Sequence, residues 1–368
     1  MIYLDNASTT RLSQRTAEAC AQMMREDYFN PSALYFTGMR VRSRIEEARA
    51  VIADRLGTAA DSVVFTSGAT EANNWAVRYG YKNKKGNAVI SAGEHPSVYE
   101  TACALKNQGY EVRFAPMSSD GTVDKTAFAA LTDERTSFVS VVHVSNETGA
   151  VNDIRSLVRI VREIAPRAVF HSDGVQAFGK IPVNITDLGV DLYSISAHKI
   201  GGPKGIGALV KNINMAPMLT GGGQERGLRS GTENTVGIIG FGAAAAENAV
   251  FDKAVFDYAK KFLSETEGVR INTPENCSGY IISASVKGIK SEVLQHMLSD
   301  EGILIGLGSA CSSKKSGNRV LSAMGLNEKL IEGNIRLSFW ADNTLDEIKA
   351  AMPRIACNIK KLRGNICG

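Results

Sequence analysis

Lys199 stands just past one apolar, strand-like run, Leu192 to Ile195, and Asp173 just past another, Ala168 to His171. Glycines follow the lysine closely, in Gly201-Gly202-Pro203-Lys204-Gly205, which is a poor setting for a solvated charge on a helix face. A lysine amine condenses with an aldehyde, and a carboxylate can hold a pyridine nitrogen protonated so that the ring draws electrons. In an open α/β sheet both residues would lie outside the carboxyl ends of the strands, where ligands bind. Ser67-Gly68-Ala69-Thr70 sits between a strand-like run and a helical pattern, where free N–H groups and the helix dipole hold an anion. Ser196 and His198 add donors beside Lys199, and His95, in Glu94-His95-Pro96 after another strand end, can stack on a flat ring. Each piece has a plainer reading alone. Gly-Ala-Thr can be a simple turn, the segment lacks the GxxxxGK[ST] phosphate loop, and Asp173 could cap the next helix. Their fall at consecutive strand ends is what points to pyridoxal phosphate.

The elements that would position these residues alternate. Short apolar runs at Ser62–Thr66, Asn87–Ser91, Glu111–Ala115, Ser137–Val142, Ala168–His171 and Leu192–Ile195 read as strands. Helical stretches lie between them, to about Tyr79 and over Ser97–Asn107, Lys125–Leu131 and Ile154–Ile164. This order predicts an α/β domain with a mainly parallel sheet. After Gly231 the pattern changes. An Ala-rich helix is expected from about Val236 to Glu267, interrupted near Val250. A strand over Gly279–Val286, a helix over Ser291–Asp300, a strand over Asn334–Phe339 and a terminal helix over Leu345–Lys361 complete a smaller α+β domain from about residue 251.

Composition bounds the function classes. With 368 residues the chain has room for two domains, and 44% hydrophobic with 22% charged residues is ordinary for a globular protein. The net charge of +4, with no block of five basic residues, gives no support to nucleic-acid binding. No apolar run is long enough to span a membrane, and the first residues do not read as a signal peptide, so a cytoplasmic location is expected. The six cysteines lie no closer than ten residues apart, too sparse for a disulfide scaffold and without zinc-like spacing. The 35 glycines exceed the usual share, as expected of many turns or of backbone approaching a ligand.

The sequence as a whole resembles the cysteine desulfurases, pyridoxal-phosphate enzymes of fold-type I in the class V aminotransferase group. The resemblance is carried, in family order, by Tyr3-Leu4-Asp5-Asn6-Ala7-Ser8-Thr9-Thr10, Asn30-Pro31-Ser32, Phe65-Thr66-Ser67-Gly68-Ala69-Thr70-Glu71, Glu94-His95-Pro96 and Asn146-Glu147-Thr148-Gly149. It continues through His171-Ser172-Asp173-Gly174-Val175-Gln176, Ser194-Ile195-Ser196-Ala197-His198-Lys199, Gly221-Gly222-Gly223-Gln224-Glu225-Arg226-Gly227, Arg229-Ser230-Gly231-Thr232-Glu233-Asn234 and Gly308-Ser309-Ala310-Cys311-Ser312-Ser313. The Ser-Ala-Cys-Ser-Ser segment matches the long-loop subgroup, although it is about one residue shorter; Tyr35 stands where many relatives carry His.

The resemblance implies roles. Lys199 would be the Schiff-base lysine, Asp173 would pair with the pyridine nitrogen and His95 would stack on the ring. Asn146 and Gln176 would lie near the phenolic oxygen and the substrate, and Thr70, Ser196 and His198 would hold the phosphate. Thr232 would reach the phosphate of a partner subunit, which implies a homodimer. Arg336, in Asn334-Ile335-Arg336-Leu337-Ser338, would bind the substrate carboxylate, for which its planar fork is suited. Cys311 would take sulfur from L-cysteine as a persulfide, leaving L-alanine, and pass it to an acceptor protein for iron–sulfur cluster assembly or for tRNA or thiamine thiolation. The neighbouring Lys314 and Lys315 would favour its thiolate. The family arrangement implies a large domain over 14–250 and a small domain built from 1–13 and 251–368. A selenocysteine lyase or another class V transaminase is the alternative. Cys20 and Cys103 are expected to be buried and inert, while Cys277, Cys357 and Cys367 have no supporting motif.

Overall fold

The computed structural model describes residues 1–80, 86–247, 249, 251–307 and 319–364. The short apolar runs form one seven-stranded sheet: β2 (Val63–Thr66), β3 (Asn87–Ser91), β4 (Glu111–Ala115), β5 (Thr136–Ser140), β6 (Val169–Asp173), β7 (Leu192–Ser196) and β8 (Gly207–Lys211), after a first strand β1 (Ile2–Leu4). The sheet order is β2-β8-β7-β6-β5-β3-β4. Neighbours from β7 to β4 run parallel, and β8 runs antiparallel to both β7 and β2. Strands β3 and β7 are buried along their whole length, which is why they read as continuous apolar runs: helices cover both faces of the sheet.

β8 is absent from the sequence-based expectation. Its residues Gly207-Ala208-Leu209-Val210-Lys211 follow so closely on the glycine-rich segment after Lys199 that no α-helix separates it from β7. A returning antiparallel strand needs none. Gly207 is required by close approach. A Cβ there would lie 2.7 Å from the Ile195 carbonyl and 2.8 Å from the backbone of Gly68, so β8 can lie directly under the Ser67–Thr70 turn only without a side chain.

The expected Ala-rich helix is two helices, Thr235–Glu247 and Lys253–Ser264. Asp252 caps the second by accepting from the Ala254 N–H at 2.9 Å. Two helices not anticipated, Gln14–Glu26 and Phe36–Leu56, pack against Thr235–Glu247, where Gly242 meets Ala48.

The remaining strands form two small sheets. β9 (Val269–Ile271), β10 (Ile281–Val286) and β12 (Asn334–Ser338) are antiparallel, and β1 pairs in parallel with β11 (Ile303–Ile305). The first residues of the chain thus join its last third. Leu4 belongs to the same apolar core as Ile303, Ile335, Leu337 and Ile355, distinct from the core between the large sheet and its helices. Bridges from Asp5 to Ser338 and from Gly306 to Arg336 stitch β1, β11 and β12 together at one point, which becomes a wall of the site.

Candidate active site

Five strand ends and the N-terminal strap surround one open cavity of about 840 Å³. Thr70, His95, Asn146, Asp173, Gln176, Ser196, His198, Lys199 and Arg336 all line it. Thr232 does not; it is exposed to solvent. Cys311 lies outside the described residues, as does Cys367. Of the other cysteines, Cys20 is buried as expected, whereas Cys103 is half-buried because it sits on the outer side of its helix.

Asp173 is the last residue of β6 and is almost fully buried. Its Oδ1 accepts from the Val175 N–H at 3.0 Å and its Oδ2 from Asn73 Nδ2 at 2.8 Å. The same Asn73 amide donates to Ser97 Oγ at 2.8 Å, and Ser97 Oγ meets His95 Nδ1 at 2.8 Å. Since the Ser97 N–H also donates to His95 Nδ1, this nitrogen is an acceptor and the imidazole proton sits on Nε2. His95 opens onto the cavity, and desolvation by the cavity walls holds its pKa below the ordinary value. A hydrogen-bonded chain from the buried Asp173, Asn73 and Ser97 to His95, which is exposed at the cavity, therefore fixes a carboxylate and a neutral imidazole relative to each other.

Gly174 follows Asp173 because Tyr193 fills the space beside it: a Cβ would fall 2.0 Å from the Tyr193 ring. Tyr193 is held in turn by His143, whose Nδ1 lies 2.7 Å from the phenol oxygen. Burial depresses the His143 pKa to about 4 and raises that of Tyr193.

Lys199 follows β7 in a short turn of helix. Its Nζ donates to the carbonyls of Ala7 and Ser8, each at 2.7 Å. Burial, and then the guanidinium of Arg336, bring its pKa down to about 8. The amine is thus close to the neutral form that attacks a carbonyl, and it is held by acceptors that a covalent partner can replace.

Arg336, in β12, is buried and completes the opposite wall. Nη1 donates to the Asn146 carbonyl at 2.9 Å, and Nη2 donates to Asp5 Oδ1 at 2.9 Å and Ser8 Oγ at 2.8 Å. Its Nε is buried without a partner. Gly306 lies against this pair, where a Cβ would meet Asp5 Oδ1 at 2.4 Å.

The other end of the cavity collects donors. The helix Ala69–Gly80 starts there, and the N–H groups of a first helical turn have no partner within their helix. Ser67, Thr70, Ser196, His198 and Lys204 surround it. His198 is neutral, its pKa lowered to about 4 by burial, then by Lys199, Lys204 and Lys180. Glu71 does not oppose an anion as a free charge: Arg229 binds it at 2.9 Å. The Gly221–Gly227 motif supports this end from behind. Glu225, at a left-handed φ of 49°, is held by Arg49 and the Phe65 N–H, each at 2.8 Å.

These residues fit pyridoxal phosphate. A donor set at a helix N-terminus suits a phosphate, Asp173 is a buried carboxylate for a protonated ring nitrogen, His95 presents a neutral ring, and Lys199 presents an amine for the aldehyde. Residues absent from the sequence-based set also build the site: Asn73, Ser97, Lys180 and the strap Asp5–Thr9. The strap motif was visible in the resemblance, but the Ala7 and Ser8 carbonyls that it gives to Lys199 leave no residue-type signal.

Fold and site define a fold-type I pyridoxal-phosphate enzyme. The chain belongs to the class V aminotransferase family, which it matches over residues 2–351 and which depends on pyridoxal phosphate. It is 36% identical to a cysteine desulfurase IscS from Dictyoglomus turgidum, over 98% of this chain and 95% of that protein. A solved NifS-like protein superposes with a TM-score of 0.91 at 34% identity, covering 98% of this chain and all of the other. A structure described as SspA in complex with cysteine superposes with a TM-score of 0.85 at 29% identity, over 94% of this chain and all of the other.

Proposed function

We propose that this protein is a cysteine desulfurase that converts L-cysteine to L-alanine and carries the sulfur as a persulfide on Cys311. The observation that supports it most is the convergence of Lys199, Asp173, His95 and Arg336 on one cavity, in a chain similar over nearly its whole length to proteins named cysteine desulfurase.

Pyridoxal phosphate, when bound, supplies the aldehyde and the electron-withdrawing pyridine ring. Thr70, Ser196 and His198 hold its phosphate, joined by Thr232 of a partner subunit; Asp173 keeps a proton on the ring nitrogen and His95 covers the ring. Gln176 and Asn146 stand by the phenolic oxygen and the substrate. Arg336 takes the substrate carboxylate by exchanging part of its hold on Asp5 and Ser8, so a charged partner is replaced by another and no guanidinium is left unpaired. Lys199 Nζ, once free of its own bond, takes the proton from the substrate Cα. The Cys311 thiolate then attacks the substrate sulfur. The Cβ–S bond breaks, its electron pair stays on carbon and is protonated, and alanine leaves.

The wider reading includes a division into a large domain over 14–250 and a small domain of 1–13 with 251–368, supported by the separate apolar core that Leu4 shares with residues of 255–359, although Trp340 packs into the core of the large sheet. It also includes a homodimer. Tyr28, Leu34 and Phe36 are 71%, 83% and 72% exposed and lie close together in sequence, an apolar surface suited to a second copy. The sulfur acceptor is a scaffold for iron–sulfur clusters or a tRNA or thiamine thiolation enzyme, and the location is the cytoplasm. Among the described residues no helix is long and apolar enough to cross a membrane.

The test is product formation from L-cysteine by wild type and Cys311→Ser. Wild type releases alanine and sulfide, while the variant retains cofactor absorbance but loses turnover by at least about a hundredfold, the scale of a missing nucleophile. Full activity in Cys311→Ser would remove the assigned nucleophile. Turnover of L-selenocysteine alone would favour the lyase alternative.

A further inference from the structure

Lys180 is the one deeply buried ammonium in the neighbourhood, among the described residues, that the proposed chemistry does not use. It is 8% exposed and lies four residues after Gln176, on the turn that follows β6. Its Nζ donates to Gln176 Oε1 at 2.7 Å and sits 5.9 Å from the centre of the Trp340 ring. Gln176, 4% exposed, donates through Nε2 to the Ala7 carbonyl at 2.9 Å, the same carbonyl that receives Lys199 Nζ.

A glutamine amide can present either its oxygen or its NH₂ to a site, and packing alone distinguishes the two poorly. Here the choice is forced from behind. A lysine ammonium has only protons to offer and a backbone carbonyl only lone pairs, so the oxygen turns toward Lys180 and the NH₂ toward Ala7 and the cavity. Flipping the amide would set NH₂ against the ammonium and oxygen against the Ala7 carbonyl, leaving two buried mismatches. We propose that Lys180 is a positioning residue that locks Gln176 with its NH₂ facing the cavity, so that the site offers a hydrogen-bond donor to the cofactor's phenolic oxygen. This rests on the pyridoxal-phosphate reading above. The charged groups that act on Lys180 are Lys199 and Arg336; with burial acting first, they bring its pKa down to about 7. A neutral Lys180 amine still has protons to donate to Gln176 Oε1, and the Ala7 carbonyl, which only accepts, keeps the same amide orientation.

The test is a double-mutant cycle of Lys180→Met and Gln176→Ala in the protein reconstituted with pyridoxal phosphate. The readout is the pH midpoint of its visible absorbance band, together with the cofactor dissociation constant. A fixed donor favours the deprotonated oxygen, so Lys180→Met is expected to raise the midpoint by roughly 0.5–1 pH unit, the size of one hydrogen bond. In the Gln176→Ala background Lys180→Met should then have no further effect, because its partner is gone. An equal shift in both backgrounds would mean that Lys180 acts directly as a charge, and no shift in either would mean that it does not act on the cofactor; both overturn the proposal. Methionine matches the lysine stem, and replacing a buried charge by an apolar side chain is commonly tolerated. If Lys180→Met does not fold, Lys180→Ala enters the same cycle with the same predictions. Loss of the cofactor reading itself would show separately, as a wild-type protein without a visible band.

Discussion

At the residue scale the site is a set of charges held by backbone carbonyls and amides. Lys199 is the clearest case. Two carbonyls of the N-terminal strap orient its amine, while burial and Arg336 bring its pKa to about 8. The sign of the consequence follows from the chemistry: only the neutral amine attacks the aldehyde. Cofactor uptake by apo-protein should therefore accelerate as pH rises through about 8, with a midpoint well below the ordinary lysine value of about 10.4. Stopped-flow absorbance at a series of pH values measures it. A midpoint at the ordinary value would contradict the assignment of the depressed amine to this step. The Asp173, Asn73, Ser97, His95 chain works similarly, by making the imidazole an acceptor at Nδ1 before any ligand arrives.

At the scale of elements, strand ends set the positions and glycines permit them. Gly174 has no room for a methyl group, since Tyr193 is fully buried and pinned by His143. Gly174→Ala should destabilise the fold by about 1–3 kcal/mol through overpacking, and also weaken cofactor binding by displacing Asp173. Thermal unfolding and cofactor titration measure the two effects; unchanged values in both would show that the turn can yield. The residues expected from sequence that line the cavity share one property. Asp173, Ser196, His95 and Thr70 lie where a strand period stops and a turn or helix begins, so their setting was local and legible. Lys180 was not, because it acts through Gln176, whose amide is in turn held by Ala7, 169 positions away in the chain. Strand β8 escaped for a related reason: an antiparallel return needs no helix to announce it. The pairing of Asp5 with Arg336 spans 331 positions and leaves no periodic trace.

At the scale of the whole molecule, both chain regions that form the small sheets meet the large sheet at the cavity. Strap residues Asp5 and Ala7–Thr9 touch Arg336, Gln176, Lys199 and His198, so the carboxylate arginine and the cofactor lysine share one support. The exposed apolar surface around Tyr28, Leu34 and Phe36 belongs to the proposed dimer. The double substitution Leu34→Asp with Phe36→Asp should shift the protein to a monomer in light scattering and raise its cofactor dissociation constant, because Thr232 would no longer reach a partner's phosphate. A monomeric wild type, or a monomeric variant with unchanged cofactor affinity, would count against that arrangement.

The central claim is that sulfur from L-cysteine comes to rest on one thiol of this chain. Mass spectrometry of the peptide containing Cys311, after one round of reaction with L-cysteine and no reductant, tests it most directly. One added sulfur atom on Cys311 and an equal amount of free alanine are expected. Alanine released with Cys311 unmodified, or with the added sulfur on another cysteine, would contradict it.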